Sequence, residues 1–406
     1  MRWAAATLAA FFLVGGAAEA RTWRVEPGPN AQTELQRALI EAKPGDIVRL
    51  AAGRFALTAG LSLDVDRVTI RGEGQDRSIL DFTGQRQGAE GLLVTSNRVT
   101  LREFAVENAK GDAIKARGCD QITFFRVRAE WTRGPHPENG AYGLYPVSCT
   151  NVLIEEAIAR GASDAGIYVG QSRNIIVRNS RAELNVAGIE IENSINADVH
   201  DNVATRNTAG LLVFDLPGLP QTGGHSVRVF KNQLIGNNTP NFAPAGNIVA
   251  SVPAGTGLLV MANRNVHVFD NEIGDNGTVN VALVAYRLEI ADANYNPLPR
   301  DIVIRENRFG RTGFAPAGDL AQLARGGIAL PDVLWDGAET YTAAGRPRTE
   351  PVRVTIAENQ ANGRAVTFLN LGVAVAGSDL SEAQPTPRPP PASTAEEPRA
   401  VDVPQD

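Results

Sequence analysis

Glu190-Ile191-Glu192 places two carboxylates at alternate positions, with Tyr145, Tyr168 and Asp215 at near-constant spacing around them. On a β-strand such a pair faces one way, about 7 Å apart by strand rise. That is close to the separation at which an acid and a base activate a water between them in an inverting hydrolysis. Lys115, Arg117 and Arg287 add cations able to neutralise a carboxylate, while Tyr145, Tyr168 and His136 can move a proton. Together they describe abstraction of a proton next to a carboxylate. Trp131, Tyr142 and Phe214 supply flat apolar surface, and aromatics beside charge suit a sugar, whose ring faces stack while its hydroxyls take hydrogen bonds. Each reading has a plainer competitor: tyrosines packed under a long loop, a solvated acidic patch, a calcium site of the two glutamates with Asn193, or a His136 merely exposed on a loop.

Such residues need a scaffold that repeats, and the sequence has one. Triplets of small residue, glycine and aliphatic recur as Tyr142-Gly143-Leu144, Ala165-Gly166-Ile167, Ala187-Gly188-Ile189 and Ala209-Gly210-Leu211, at intervals of 23, 22 and 22. A second series follows at fixed distance, in Asn151-Val152-Leu153-Ile154, Asn174-Ile175-Ile176-Val177 and Asn196-Ala197-Asp198-Val199, and Asn265-Val266-His267-Val268 repeats it later. A third closes each unit. Three short strands per unit of about 22 residues, divided by Gly and Asn turns, is the pattern of a solenoid coil.

Alternation puts Ile114, Leu144, Ile167, Ile189, Leu211 and Leu258 inside. One outward column is then Lys115, Tyr145, Tyr168, Glu190, Leu212 and Leu259, and a second is Arg117, Val147, Gly170, Glu192, Phe214 and Met261. Residues 131–141 and an insertion within 216–256 are the expected walls of this face, since solenoid insertions become loops. Asn179, Asn202, Asn232, Asn271, Asn307 and Asn359 fall at corners, where stacked amides bond turn backbone. His225 and His267 sit at strand positions with a structural role.

The chain has 406 residues, 43% of them apolar, and 40 glycines, enough for a large core with many tight turns. Arg2, the apolar run 4–14 and Ala18-Glu19-Ala20 read as a secretory signal, so the mature chain is expected to start near Arg21, with no later window long enough to span a membrane. Residues 378–406 hold seven prolines and a net charge of −4, a composition that predicts disorder. With a whole-chain charge of −6, the body is close to neutral, which disfavours nucleic acid as a partner. Cys119 and Cys149 occupy matching points of successive coils, which allows either a disulfide or two stacked thiols. The four histidines and two cysteines show no zinc spacing, and calcium is the one cofactor left open.

These features resemble the right-handed parallel β-helix superfamily, the pectate-lyase-like fold, over about residues 23–375. Thr33–Leu39 followed by Ile47-Val48-Arg49-Leu50 looks like that superfamily's capping helix and first strand. Tyr142-Gly143-Leu144-Tyr145-Pro146-Val147 is similar to the Tyr-Gly-Phe-Asp-Pro-His motif of mannuronan C5-epimerases, which share the fold and act on alginate. Tyr142, Gly143 and Pro146 match, but Tyr145 stands where that family has its catalytic Asp, and Val147 where it has His. The wider arrangement, with Asp215-Leu216-Pro217-Gly218 and Gly246-Asn247-Ile248-Val249, resembles exported bacterial proteins known as parallel β-helix repeat-containing.

The expectation is an all-β chain: signal 1–20, cap and first strand 21–50, right-handed parallel β-helix 51–377, disordered tail 378–406. It is expected in the periplasm or secreted, binding an acidic polysaccharide or other glycan and open to lyase or C5-epimerase chemistry on it. The alternative is a noncatalytic periplasmic glycan-binding or metalloenzyme-accessory protein.

Overall fold

A computed structural model describes residues 20–378, 380 and 383–404; the expected signal segment lies outside the described residues. Three sheets of parallel strands, with 11, 12 and 11 members, wind around one apolar core. Sheet 1 holds β1 (Ile114–Arg117), β2 (Tyr142–Val147), β3 (Ala165–Gly170), β4 (Ala187–Glu192), β5 (Ala209–Phe214), β6 (Thr256–Met261) and β7 (Val279–Val284) as consecutive neighbours. After each of these strands the chain turns into the 12-stranded sheet 2, as at Thr150–Glu155, then into the short strands of sheet 3, as at Ile158–Arg160. Every inward aliphatic of β1–β6 named above is buried. A helix α1 (Ala31–Glu41) lays Ala31, Leu35, Ala38 and Leu39 over the first coil, covering the apolar end that a solenoid otherwise exposes. One strand, Thr22–Val25, precedes α1 and pairs with Ile47–Leu50, so the sheet begins before the cap rather than after it.

The turns follow from asparagine chemistry. Asn151, Asn174, Asn196 and Asn265 each take φ between 50° and 60° at the second residue of a sheet 2 strand, a left-handed conformation that Asn tolerates better than most side chains. Asn202, Asn232, Asn271, Asn307 and Asn359 form a buried ladder in which each Nδ2 donates to the next Oδ1 at 2.9–3.0 Å. Asn179 is not a rung: Ser180 holds that position and its amide donates to Asn202 Oδ1 at 2.9 Å. A second ladder, Asn185, Asn207, Asn237 and Asn276, runs beside sheet 3. Cys119 and Cys149 are bridged, with Cα atoms 4.6 Å apart, tying the coil of β1 to that of β2.

Two further expectations change. The insertion within 216–256 is two loops, residues 215–224 and 236–255, separated by the strands His225–Phe230 and Gln233–Ile235 of an ordinary coil. The C-terminal segment, expected to be disordered, lies against the outer face of sheet 2, where Val403 is buried on Leu153 and Ile176. Proline already holds such a chain extended, so little conformational freedom is lost on docking. Composition counts only the surface that the segment itself can bury, not the groove that receives it. Among the described residues, no helix is long and apolar enough to cross a membrane.

Candidate functional site

The register of sheet 1 places both outward columns as the alternation requires. Lys115 pairs with Tyr145, Tyr168 with Glu190, Glu190 with Leu212 and Leu212 with Leu259. Arg117 pairs with Val147, Val147 with Gly170, Gly170 with Glu192 and Glu192 with Phe214. What the pattern did not reveal is the roof: Tyr168, Glu190, Glu192, Leu212, Phe214 and Asp215 are all buried. The end at β1 and β2 stays partly open.

At that open end three tyrosine rings meet. Tyr142 lies 4.5 Å from Tyr145 and 4.5 Å from Tyr168 between centroids, and Tyr145 meets Tyr168 edge-on at 4.8 Å. The arrangement depends on Gly170, since a Cβ there would fall 2.4 Å from the Tyr168 ring and hydroxyl. With no side chain in the way, Tyr168 lies down along its own strand and donates to Glu192 Oε1 at 2.7 Å. Tyr145 is half-buried and carries the Lys115 ammonium 4.8 Å above its ring, within cation–π range. Burial, with help from the Asp112 and Glu192 charges, pushes the Tyr145 phenol up to about 12. It is therefore a proton donor, not a base, at neutral pH.

Behind the rings sit Asp164, Glu190 and Glu192. The Glu190 and Glu192 carboxyls lie within hydrogen-bonding reach of each other. This corrects the 7 Å separation expected for an inverting pair: the side chains lean together, leaving no gap for a water between them. Burial pushes both pKa values up; the Asp164 and Glu192 charges add to it at Glu190, whereas Tyr168 and Glu190 hold Glu192 back by hydrogen bonding. Asp164 is raised to about 7 by burial and then by the Glu192 charge, with the Tyr142 phenol opposing. Glu190 Oε2 has no partner among the described residues, which leaves a buried acceptor free for a donor from outside. Asp164 was missed in sequence because it sits one position before the Ala165 triplet, in the turn rather than in an outward column.

The remaining expected site residues have other work. Lys115 Nζ lies 3.5 Å from both Glu90 and Asp112, so its charge is already balanced. Arg117 is exposed and makes no ion pair among the described residues. The Asp215 carboxylate accepts the Gly223 and Gly224 amides at 3.0 and 2.9 Å; burial lifts its pKa to about 6 against those bonds. Its own carbonyl accepts the Tyr295 hydroxyl at 2.5 Å, so Asp215 fastens the roof instead of facing a ligand. Phe214 is fully buried in the apolar half of the face. Trp131 is a core residue whose indole donates to the Ala109 carbonyl at 2.7 Å, packed against Gly140 and Gly161. His136 sits on the 131–141 loop, where Nδ1 accepts the Glu138 amide at 3.2 Å. Arg287 pairs with Asp319 at 3.2 Å, far along the sheet from Lys115. The Asn193 side chain is spent on the Leu216 and Gln221 carbonyls at 2.8 Å each, and among the described residues no three His, Cys, Asp or Glu side chains gather as metal ligands.

The chain has the right-handed parallel β-helix fold, and its residues 90–242 match the family described as right handed beta helix region. No curated protein matches the sequence. Among solved structures, a polygalacturonase from Erwinia carotovora ssp. carotovora superposes with a TM-score of 0.59 at 13% identity, covering 88% of this chain and 96% of that one. The A-module of an Azotobacter vinelandii mannuronan C-5 epimerase gives 0.55 at 14% identity, covering 86% and 96%. A DFA-IIIase mutant from Arthrobacter chlorophenolicus A6 gives 0.55 at 12%, covering 92% and 91%. At these identities the likeness is one of fold.

Proposed function

We propose that the protein is exported and binds a carboxylated glycan at the open end of sheet 1. The observation that carries this reading is the cluster of Tyr142, Tyr145 and Tyr168, which offers ring faces and phenols beside the unpaired Arg117 and the free acceptor of Glu190. Tyr145 supplies the stacking surface and a hydroxyl donor and Arg117 the charge for a uronate carboxylate, while the buried Glu190 acceptor is met by a sugar hydroxyl only once Tyr142 moves. Export is supported by the apolar N-terminal run and by the Cys119–Cys149 bridge, since disulfides persist in oxidising compartments.

The chemical step this site suits is proton transfer, since Glu190 and Glu192 lie within hydrogen-bonding reach of each other rather than apart across a water. Abstraction of the sugar C5 proton needs a base titrating near neutrality, and Asp164 at about 7 is the group with that property, with Tyr145 as donor. Return of the proton to the opposite face is epimerisation; loss of the adjacent glycosidic oxygen, which takes a proton from Tyr145, is elimination. The noncatalytic reading is favoured by one observation: Asp164, Glu190 and Glu192 are all buried, so a substrate carbon reaches them only if Tyr142 moves.

The deciding measurement is proton NMR in deuterated water with a panel of polyuronides and neutral glycans, with and without calcium. New olefinic signals mean a lyase and C5 deuterium exchange without cleavage an epimerase. Binding without either supports the noncatalytic reading. Tyr145→Ala should weaken binding about tenfold, or about 1.4 kcal/mol, at unchanged melting temperature. If affinity is unchanged, or stability falls instead, Tyr145 is a packing residue and the site lies elsewhere.

A further inference from the structure

The outer face of sheet 2 takes no part in that reading, yet it is occupied. Residues 391–404 cross eight of its strands, from Val354–Ala357 back to Asp120–Phe125, roughly at right angles to them. The Val354 amide donates to the Pro391 carbonyl at 2.9 Å, and the Ser393 amide to Thr355 Oγ1 at 3.0 Å. Glu397 reaches Arg305 at 2.7 Å and Arg228 at 3.2 Å. The Val401 amide donates to Asp198 at 3.0 Å, Val403 packs on Leu153 and Ile176, and Gln121 donates to the Pro404 carbonyl at 3.3 Å. About 13 peptide units of polyproline-type chain reach about 40 Å, and about seven strand spacings come to about 34 Å. The segment therefore lies nearly taut along the solenoid axis, meeting the sheet by charge, backbone bonds and two valines.

Its fit is incomplete. Asp198 and His267 are 5% and 3% exposed, yet Asp198 Oδ1 and His267 Nδ1 have no partner among the described residues. Arg228 Nε, though near Glu397, makes no hydrogen bond. Buried polar atoms left unpaired are costly, so this face has binding capacity that its occupant does not use. The same face holds a cavity of about 310 Å³ lined by Arg98, Arg102, Gln121, Phe125, Leu153 and Glu155.

We propose that the outer face of sheet 2 is a docking track for an extended, acidic, proline-containing polypeptide, and that residues 391–404 are its resident and displaceable occupant. Another polypeptide of that chemistry gains the track by displacing the tail. It would pair an acid with Arg228 and Arg305, set aliphatics on Leu153 and Ile176, and supply a donor to Asp198. The cis tail holds the track by its high local concentration, so a competitor must bind more tightly or the tail must be weakened.

The test uses the full chain and a fluorescent synthetic peptide of the sequence 391–406. The double variant Glu397→Lys/Val403→Asp weakens the tail and leaves the track intact. It is expected to bind the peptide at least tenfold more tightly than the wild-type chain does, with affinity falling as salt rises. A peptide bearing the same two changes should not bind. Equal binding to both proteins, equal binding of both peptides, or no binding of the wild-type peptide to the variant at about 1 mM, an affinity of about −4 kcal/mol, would overturn the proposal.

Discussion

Two halves of one sheet face, in one register, have been given opposite contents. Along β2, β3 and β4 the outward columns carry Tyr145, Tyr168, Glu190 and Glu192; along β5, β6 and β7 they carry Leu212, Phe214, Leu259, Met261 and Ala282. The backbone is the same platform in both, so side-chain identity alone separates them. In the apolar half, loop residues such as Ile290, Tyr295 and Leu298 join the core, and burial of this kind is favourable at roughly 25 cal/mol per Å². In the polar half burial is opposed by every acid it covers, and the pKa values of those acids are raised in consequence. A fold that spends stability in one half can do so because the other half supplies it.

The sharpest break of this comparison is Phe214→Ala. Phe214 is 1% exposed in the apolar half, and its truncation should cost about 3–5 kcal/mol, read as a lower denaturation midpoint. Glycan affinity of the folded fraction should stay constant. A loss under about 1 kcal/mol would mean that the roof is loosely laid over the sheet and that the two halves differ less than their packing indicates.

A smaller effect tests the polar half by itself. Gly170→Ala puts a Cβ 2.4 Å from the Tyr168 ring, forcing the phenol away from Glu192 at a cost of about 1–3 kcal/mol. The expected signature is a changed tyrosine absorbance together with lower stability. An unchanged spectrum with unchanged stability would show that Tyr168 does not need the space that Gly170 leaves.

Which parts of this were legible beforehand follows from what a period can encode. The coil, the columns and the matching points of Cys119 and Cys149 were readable, because a 22-residue repeat fixes register and alternation fixes direction. The roof was not: Tyr295 and the 285–299 loop interrupt the repeat, so nothing periodic marks their return over Asp215. Phe214 was misplaced for the same reason, since an outward direction on the sheet says nothing of what later covers it, and Trp131 because a residue that opens an insertion can still turn into the core. Asp164 escaped because it precedes its strand, and Lys115 was assigned a free charge because Asp112 lies in the turn before its strand and Glu90 in the strand of the preceding coil. The tail was misjudged because its binding surface is distributed over eight coils.

Buried acids on both sides of this division also give the protein a pH signature. Asp164 at about 7, Asp215 at about 6 and Asp336 at about 6 are all raised by burial, above unfolded values near 4. Between these limits the folded state binds more protons than the unfolded one. The stability they contribute is fully present below about pH 4 and is lost as pH rises through about 6 to 7. Thermal melts should therefore move to lower temperature between about pH 5 and 7.5, and Asp164→Asn should flatten that slope. A slope of opposite sign, or one untouched by Asp164→Asn, would mean that other groups govern the pH dependence.

The smallest expected effect separates the rim of the polar half from its interior. Arg117 is exposed and unpaired among the described residues, whereas Lys115, on the same strand, is balanced by Glu90 and Asp112. A surface charge pair contributes about 0.2–1 kcal/mol, so Arg117→Ala should weaken carboxylated glycans by no more than about fivefold and leave neutral ones unchanged. The difference should shrink as salt is added, because screening acts on exposed charges first. Lys115→Ala acts otherwise: it strips the counter-charge from two carboxylates and the cation from the Tyr145 ring, so its effect should fall on stability and on both glycan classes alike. If Arg117→Ala weakens neutral and charged glycans equally, the arginine shapes the rim and does not read a carboxylate, and the acidic character of the ligand loses its support.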